Sequence, residues 1–304
     1  MDTLYSYHNG NSVVKLFEDG TREISTLAPS FDFDYPLNID IRCSTKCSFG
    51  YNPKKGKSTC EFCHESSRTD GKECDYTALR QKLVGLPKGI ELAVGCNKAT
   101  DNMDAFLFWC RLNDYVVNLT INQGHIDKNY DRLRSWIDMG FIHGLGVSYR
   151  RNMKWNFGFC NYILCYPNTV FHVIAGIDDI NDVLSLKDKG VKKILVLGEK
   201  DFGFNTGKVD LTTKCHKEWY WWVKKLFTEF DTVSFDNLAL EQLNIKRFLT
   251  PEQWNEFHQG EYSFYINAVE KYFAPSSRSN EKTPWGNITV KEYFKTLKNR
   301  NNGV

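Results

Sequence analysis

The stretch Cys43-Ser-Thr-Lys-Cys47-Ser-Phe-Gly-Tyr-Asn-Pro-Lys-Lys-Gly-Lys-Ser-Thr-Cys60-Glu-Phe-Cys63-His-Glu-Ser-Ser67 gathers four of the chain's ten cysteines within 21 residues. It follows a strand-like run, Pro36-Leu-Asn-Ile-Asp-Ile-Arg42. Gly50, Pro53, Gly56 and four lysines lie inside it, a composition that predicts an exposed loop at its middle. A loop with thiols at both ends is positioned to hold a group between them.

Outward from this loop the chain alternates between strand and helix. Apolar strands are expected at 90–94, 116–121, 145–148, 169–174, 191–197, 232–235 and 262–269, with helices at 101–112, 130–137, 178–188, 219–230 and 290–297. Near-continuous apolar strands separated by helices imply a parallel sheet, in which chemistry sits at the C-terminal strand ends. Polar clusters fall at those ends: the cysteine loop, Gly95–Lys98, Asn122–His125, Ser148–Arg151 and Gly198–Asp201. Residues 1–30 read as a hairpin, with Glu18-Asp19-Gly20 as its turn. The expected fold class is α/β, a partial (β/α)6 TIM-like barrel over 31–245, with the N-terminal β-hairpin at 1–30 and a C-terminal extension at 246–304.

Composition narrows the function. At 304 residues, 41% hydrophobic and 25% charged, the chain has the make-up of a globular protein with a sizeable core. A net charge of +2 without a long basic run argues against a dedicated nucleic-acid binder. No signal peptide is read at the N-terminus, and no run of roughly 18 apolar residues is present. A cytoplasmic protein is therefore expected, in which cysteines are metal ligands or buried apolar residues rather than disulfides. The aromatic run Trp219-Tyr-Trp-Trp222 reads as the packing face of a helix.

Two uses of the cysteine loop compete. With four ligands the pattern C-x3-C-x12-C-x2-C makes a structural zinc site. With three, a [4Fe-4S] cluster keeps one iron open to a substrate or cofactor, and Cys43 becomes a buried strand thiol. In its three-ligand form the loop resembles that of the radical S-adenosylmethionine (SAM) superfamily, C-x3-C-x-Φ-C after the first barrel strand, with about nine residues inserted before the second cysteine.

The resemblance implies Cys47, Cys60 and Cys63 as cluster ligands, with Cys43 as the alternative first ligand, and Phe62 as the family's aromatic beside the cofactor. Gly95-Cys96-Asn97-Lys98 stands where the family has G-G-E-P, so Gly95 is retained and Asn97 replaces the acid. Thr120-Ile-Asn122 is similar to the family's T-N-G; Ser148 and Ile174 match further cofactor-contact positions, and Arg150 or Arg151 would pair with an anion. The implied cofactors are a [4Fe-4S] cluster and S-adenosyl-L-methionine, cleaved to a 5′-deoxyadenosyl radical with an electron from a donor such as flavodoxin or ferredoxin. Cys74, Cys96, Cys110, Cys160, Cys165 and Cys215 lack the dense array of a second cluster. The missing acid leaves open a degenerate relative that binds a cluster without cleaving SAM. Peptide, nucleotide and small-molecule substrates stay equally open.

Overall fold

A computed structural model describes residues 2–151, 162–255 and 262–301. Three N-terminal strands, β1 (Thr3–Asn9), β2 (Ser12–Phe17) and β3 (Arg22–Thr26), form an antiparallel sheet of their own. The expected hairpin is β2–β3. β1 joins it because Tyr5 and Tyr7 pair with Leu16 and Val14.

The central sheet is built from β4 (Asn38–Arg42), β7 (Glu91–Cys96), β8 (Val116–Asn122), β9 (Gly144–Ser148), β10 (Thr169–Ile174), β11 (Lys193–Leu197), β12 (Thr232–Phe235), β13 (Ser263–Asn267), β14 (Tyr272–Ala274) and β15 (Thr283–Pro284). A separate two-stranded hairpin, β5 (Lys46–Asn52) and β6 (Lys57–Ser58), lies inside the cysteine stretch. The order across the central sheet is β12-β11-β10-β9-β8-β7-β4-β13-β14-β15, parallel from β12 to β13 and antiparallel beyond. The parallel run therefore has eight strands where six were expected, because β12 and β13 extend it at opposite edges. Among the described residues β12 and β13 are not paired, so the sheet is open. Ile39, Leu92, Leu119, Val147, Val173 and Ile194 are almost completely buried, as in strands covered on both faces.

The helices are α1 (Tyr76–Leu83), α2 (Asp101–Leu112), α3 (Gln123–Asp138), α4 (Ile180–Leu184), α5 (Lys214–Trp222), α6 (Leu226–Glu229), α7 (Asn237–Gln242), α8 (Pro251–Asn255) and α9 (Val290–Asn301). Their starts follow side-chain caps: Asp75, Thr100, Asn122, Asp179, Thr213 and Asp236 each accept a first-turn N–H. α3 begins seven residues earlier than its apolar spacing predicts, since Asn122 both ends β8 and caps the helix. Of the aromatic run, Trp219 is fully buried and donates Nε1–H to the Asp178 carbonyl at 2.6 Å, whereas Trp221 faces solvent. No described helix is long and apolar enough to cross a membrane.

Candidate active site

The middle of the cysteine stretch is the exposed turn its composition predicts, carried at the tip of the β5–β6 hairpin. Asn52 accepts from the N–H groups of Lys54 and Lys55, and Gly56 closes the turn at φ 64°. Phe49 O accepts from Cys60 N at 3.0 Å, which carries the second pair of thiols back to the first. Cys47 Sγ lies 3.4 Å from His125 Nε2, while Ser48 Oγ is 3.5 Å from Nδ1 and Phe49 stacks on the imidazole at 4.5 Å. Burial, reinforced by Lys128 and Arg150, pushes His125 down to about 4 and keeps it neutral. Burial raises the thiols of Cys47 and Cys60, and Arg150 opposes the rise at Cys60 by charge and hydrogen bond. The same guanidinium sits 4.8 Å from the Phe62 ring centroid.

Cys43 behaves differently. It is fully buried, and its thiol is raised by a hydrogen bond with Cys74 and by burial. Among the described residues no three His, Cys, Asp or Glu side chains could share one metal ion. A tetrahedral zinc site needs four thiolates about 2.3 Å from one centre, so this arrangement does not favour the four-cysteine reading. A four-iron cluster makes another demand, because each ligand sulfur binds its own iron and the thiols ring a volume rather than a point.

A cavity of about 360 Å³ is ringed by Cys47, Cys60, Cys63 and Phe62 on one side. The last residues of six neighbouring parallel strands also line it: Arg42, Cys96, Asn122, Ser148, Ile174 and Leu197. Gly95, Asn97, Thr120, Arg150 and His172 complete that wall. A Cβ at Gly95 would meet nothing within 4 Å, so its exposed face opens into the cavity. Gly146 is needed for a close approach: a Cβ there would lie 2.6 Å from His172 Cε1. Burial pushes His172 down to about 4.

A polar network also borders the cavity. Glu65 is ion-paired to Arg42 at 2.8 Å, contacts His64 Nε2 at 3.3 Å and accepts from Tyr265 Oη at 3.2 Å. Burial raises the Glu65 carboxyl, but His64, Arg42 and Lys200 outweigh it and hold it at about 2. Lys200 Nζ stands 3.4 Å from His64 Nε2, and Asp40 borders the same space.

The four cysteines of the cluster loop with Phe62, and Gly95, Asn97, Asn122, Ser148, Arg150 and Ile174 at the strand ends, border this cavity. Other candidates lie elsewhere. Arg151 pairs with Asp182 at 2.7 Å, and Glu199 is buried against His216 at 2.7 Å. Asp236 caps α7. Cys96 does line the cavity, but it is buried with its thiol pushed up to about 12. Cys160 lies outside the described residues. Sequence reasoning missed the roles of His125, His64, Glu65 and Tyr265. The adjacency of His64 and Glu65 to Cys63 was a usable signal, whereas nothing local points to Tyr265. A larger hollow of about 590 Å³, lined by Glu199, Asp201 and Arg278 among others, contains none of the thiols.

The fold is shared with SuiB of Streptococcus suis. A structure of SuiB bound to S-adenosylmethionine superposes with a TM-score of 0.55 at 12% identity, covering 86% of this chain and 64% of that one. A second SuiB structure gives 0.56 at 13%, covering 86% and 66%. This chain thus spans about two thirds of SuiB's length, and at such identity the likeness is one of fold. No family model matches the sequence, and no curated protein matches it significantly.

Proposed function

We propose that this chain is a radical SAM enzyme: Cys47, Cys60 and Cys63 hold a [4Fe-4S] cluster, and S-adenosylmethionine binds against it in the 360 Å³ cavity. The observation that carries the reading is the meeting, around one volume, of three thiols with six parallel strand ends. Six ends of a flat sheet would spread over roughly 24 Å at 4.8 Å per strand. Their shared opening on one small cavity therefore supports a curved sheet, a partial barrel of residues 31–245 with 246–304 packed against it. The solved complex of SuiB with S-adenosylmethionine supports the choice of ligand.

One-electron cleavage of a sulfonium, giving a 5′-deoxyadenosyl radical that takes a hydrogen atom from a substrate, is the chemistry the two cofactors supply together when bound. The chain's share is positioning. Gly95 leaves space along β7, Asn97 and Ser148 offer polar groups, and Ile174 offers an apolar face to adenine. Phe62, fixed beneath Arg150, closes the side next to Cys60 and Cys63. Asn122 holds the wall by capping α3 through Gly124 N at 2.9 Å. Burial of Cys47 and Cys60 limits water at the thiols. An electron donor of the flavodoxin or ferredoxin type would complete the system.

The test is iron and sulfide content with an absorption spectrum on protein purified without oxygen, followed by dithionite and SAM. About four irons, four sulfides and a broad band near roughly 400 nm are expected, with 5′-deoxyadenosine as product. One zinc and a colourless sample would overturn the reading. A loaded cluster that binds SAM without yielding 5′-deoxyadenosine, with candidate substrates present, would reduce it to cofactor binding.

A further inference from the structure

The aromatic run at 219–222 is used by the core at one ring and left to solvent at two. α5, a 3₁₀ turn at Val223–Lys225 and α6 follow one another directly, with right-handed helical backbone at both joints. Residues 214–229 thus form one rod of about 24 Å. Its buried side chains, His216, Trp219, Val223 and Leu226, recur every three or four positions and make the core stripe.

The opposite side carries the other two indoles. Trp221 is 71% exposed and Trp222 46%, and Phe227 on the flank is 40% exposed. Lys214, Lys217, Lys224 and Lys225 are exposed on the same rod. Its two carboxylates are engaged, Glu218 with Lys214 at 3.6 Å and Glu229 with Lys187. The short helix Ile245–Phe248 extends the surface: Phe248 meets Phe227 at 6.0 Å, and Arg247 lies over the Tyr220 ring at 3.7 Å. Lys246 and Arg247 are exposed there.

Exposed indoles set among cations call for an anionic partner that also takes apolar groups. A nucleic-acid strand would stack its bases on open ring faces. Here Lys225 Nζ occupies one face of Trp222 at 4.0 Å, and Trp221 meets Tyr220 edge-on at 5.3 Å. The ends of the indoles stay open. Indole ends beside ammonium groups match a lipid interface, where tryptophan sits at headgroup level and lysine meets anionic headgroups.

We propose that the outer side of α5 and α6 docks this protein on an anionic phospholipid surface. Trp221 and Trp222 enter the headgroup layer, and Lys217, Lys224, Lys225 and Arg247 meet its phosphates. The proposal stands apart from the cofactor reading, since none of these residues lines the thiol-bearing cavity.

The experiment is sedimentation with vesicles of phosphatidylcholine alone, and of phosphatidylcholine with about 30% phosphatidylglycerol. It compares the wild-type chain with Lys224→Gln/Lys225→Gln and with Trp221→Ser, each shown folded by thermal melting. Wild type is expected on the mixed vesicles and not on the neutral ones. The double lysine variant should bind about thirtyfold more weakly. Trp221→Ser should bind more weakly too, with less quenching of tryptophan emission by brominated acyl chains. No binding to the mixed vesicles overturns the proposal, as does equal binding to neutral ones or an unchanged affinity in either variant. Capture of single-stranded polyuridine with the vesicles ignored would also overturn it, and would make this a nucleic-acid surface.

Discussion

Four cysteines that look equivalent in sequence occupy two environments. All four border the cavity, but Cys47, Cys60 and Cys63 are half-buried, whereas the Cys43 thiol is fully buried and tied to Cys74. Cys47→Ala, Cys60→Ala or Cys63→Ala is expected to lose most bound iron, measured against protein content. Cys43→Ala is expected to keep it, at a cost of about 1 kcal/mol from the small core cavity; loss of iron there would make Cys43 a ligand. His125 offers a finer test. In the tautomer where Ser48 Oγ donates to Nδ1, Nε2–H would be directed at Cys47 Sγ, and hydrogen bonds to ligand sulfur raise cluster potentials. His125→Phe should load iron fully and show a more negative midpoint potential by spectroscopic redox titration; an unmoved potential would deny the bond. The cysteines and glycines were legible because their chemistry is written in residue type and spacing. His125 was not, since it is set beside Cys47 by the start of α3, and a histidine on a helix says nothing alone about what it faces.

At the level of elements, the alternation of strands and helices was readable from apolar spacing, and all eight parallel strands fall where that pattern predicts. Caps decided what spacing could not. Asn122 starts α3 two turns before the start expected at residue 130, and Asn52 shapes the turn of a lysine-rich hairpin. Asp236 does a comparable job between two elements: Oδ1 accepts from Ala239 N at 2.8 Å and from Gly198 N at 2.9 Å, joining α7 to the end of β11. Asp236→Ala should cost about 2 kcal/mol, a cap plus one stranded N–H. It should appear as a drop of several degrees in Tm, and a neutral substitution would show that water replaces both bonds.

For the molecule as a whole, pH and chain connectivity carry the predictions. Burial pushes the Asp178 carboxyl up to about 6. Between about pH 4 and pH 6 the folded state thus binds more protons than the unfolded chain, so this group's contribution to stability falls as pH rises through that window. Asp178→Asn keeps an acceptor for Ile174 N and removes the charge. Its stability relative to wild type should be greater by about 1–3 kcal/mol at pH 8 than at pH 4.5 in denaturant titrations; equal differences at both would contradict the assignment. Connectivity is tested by ending the chain at residue 255. Phe264, Ile266 and Phe273 are almost completely buried, each worth about 1.5–3 kcal/mol, against a total stability of about 5–15 kcal/mol. The shortened chain should lack a cooperative melting transition.

β13, near the end of the sequence, pairs in parallel with β4, near its beginning, from Ser263 beside Asn38 to Asn267 beside Arg42. During synthesis β4 emerges more than 200 residues before β13 and waits with that edge bare until β13 has been made. Pairing over such a separation is slow, and an uncovered edge invites other strands. Tyr265, which steadies Glu65, arrives with that last strand. The cavity wall around Glu65 is therefore completed only when β13 has paired with β4.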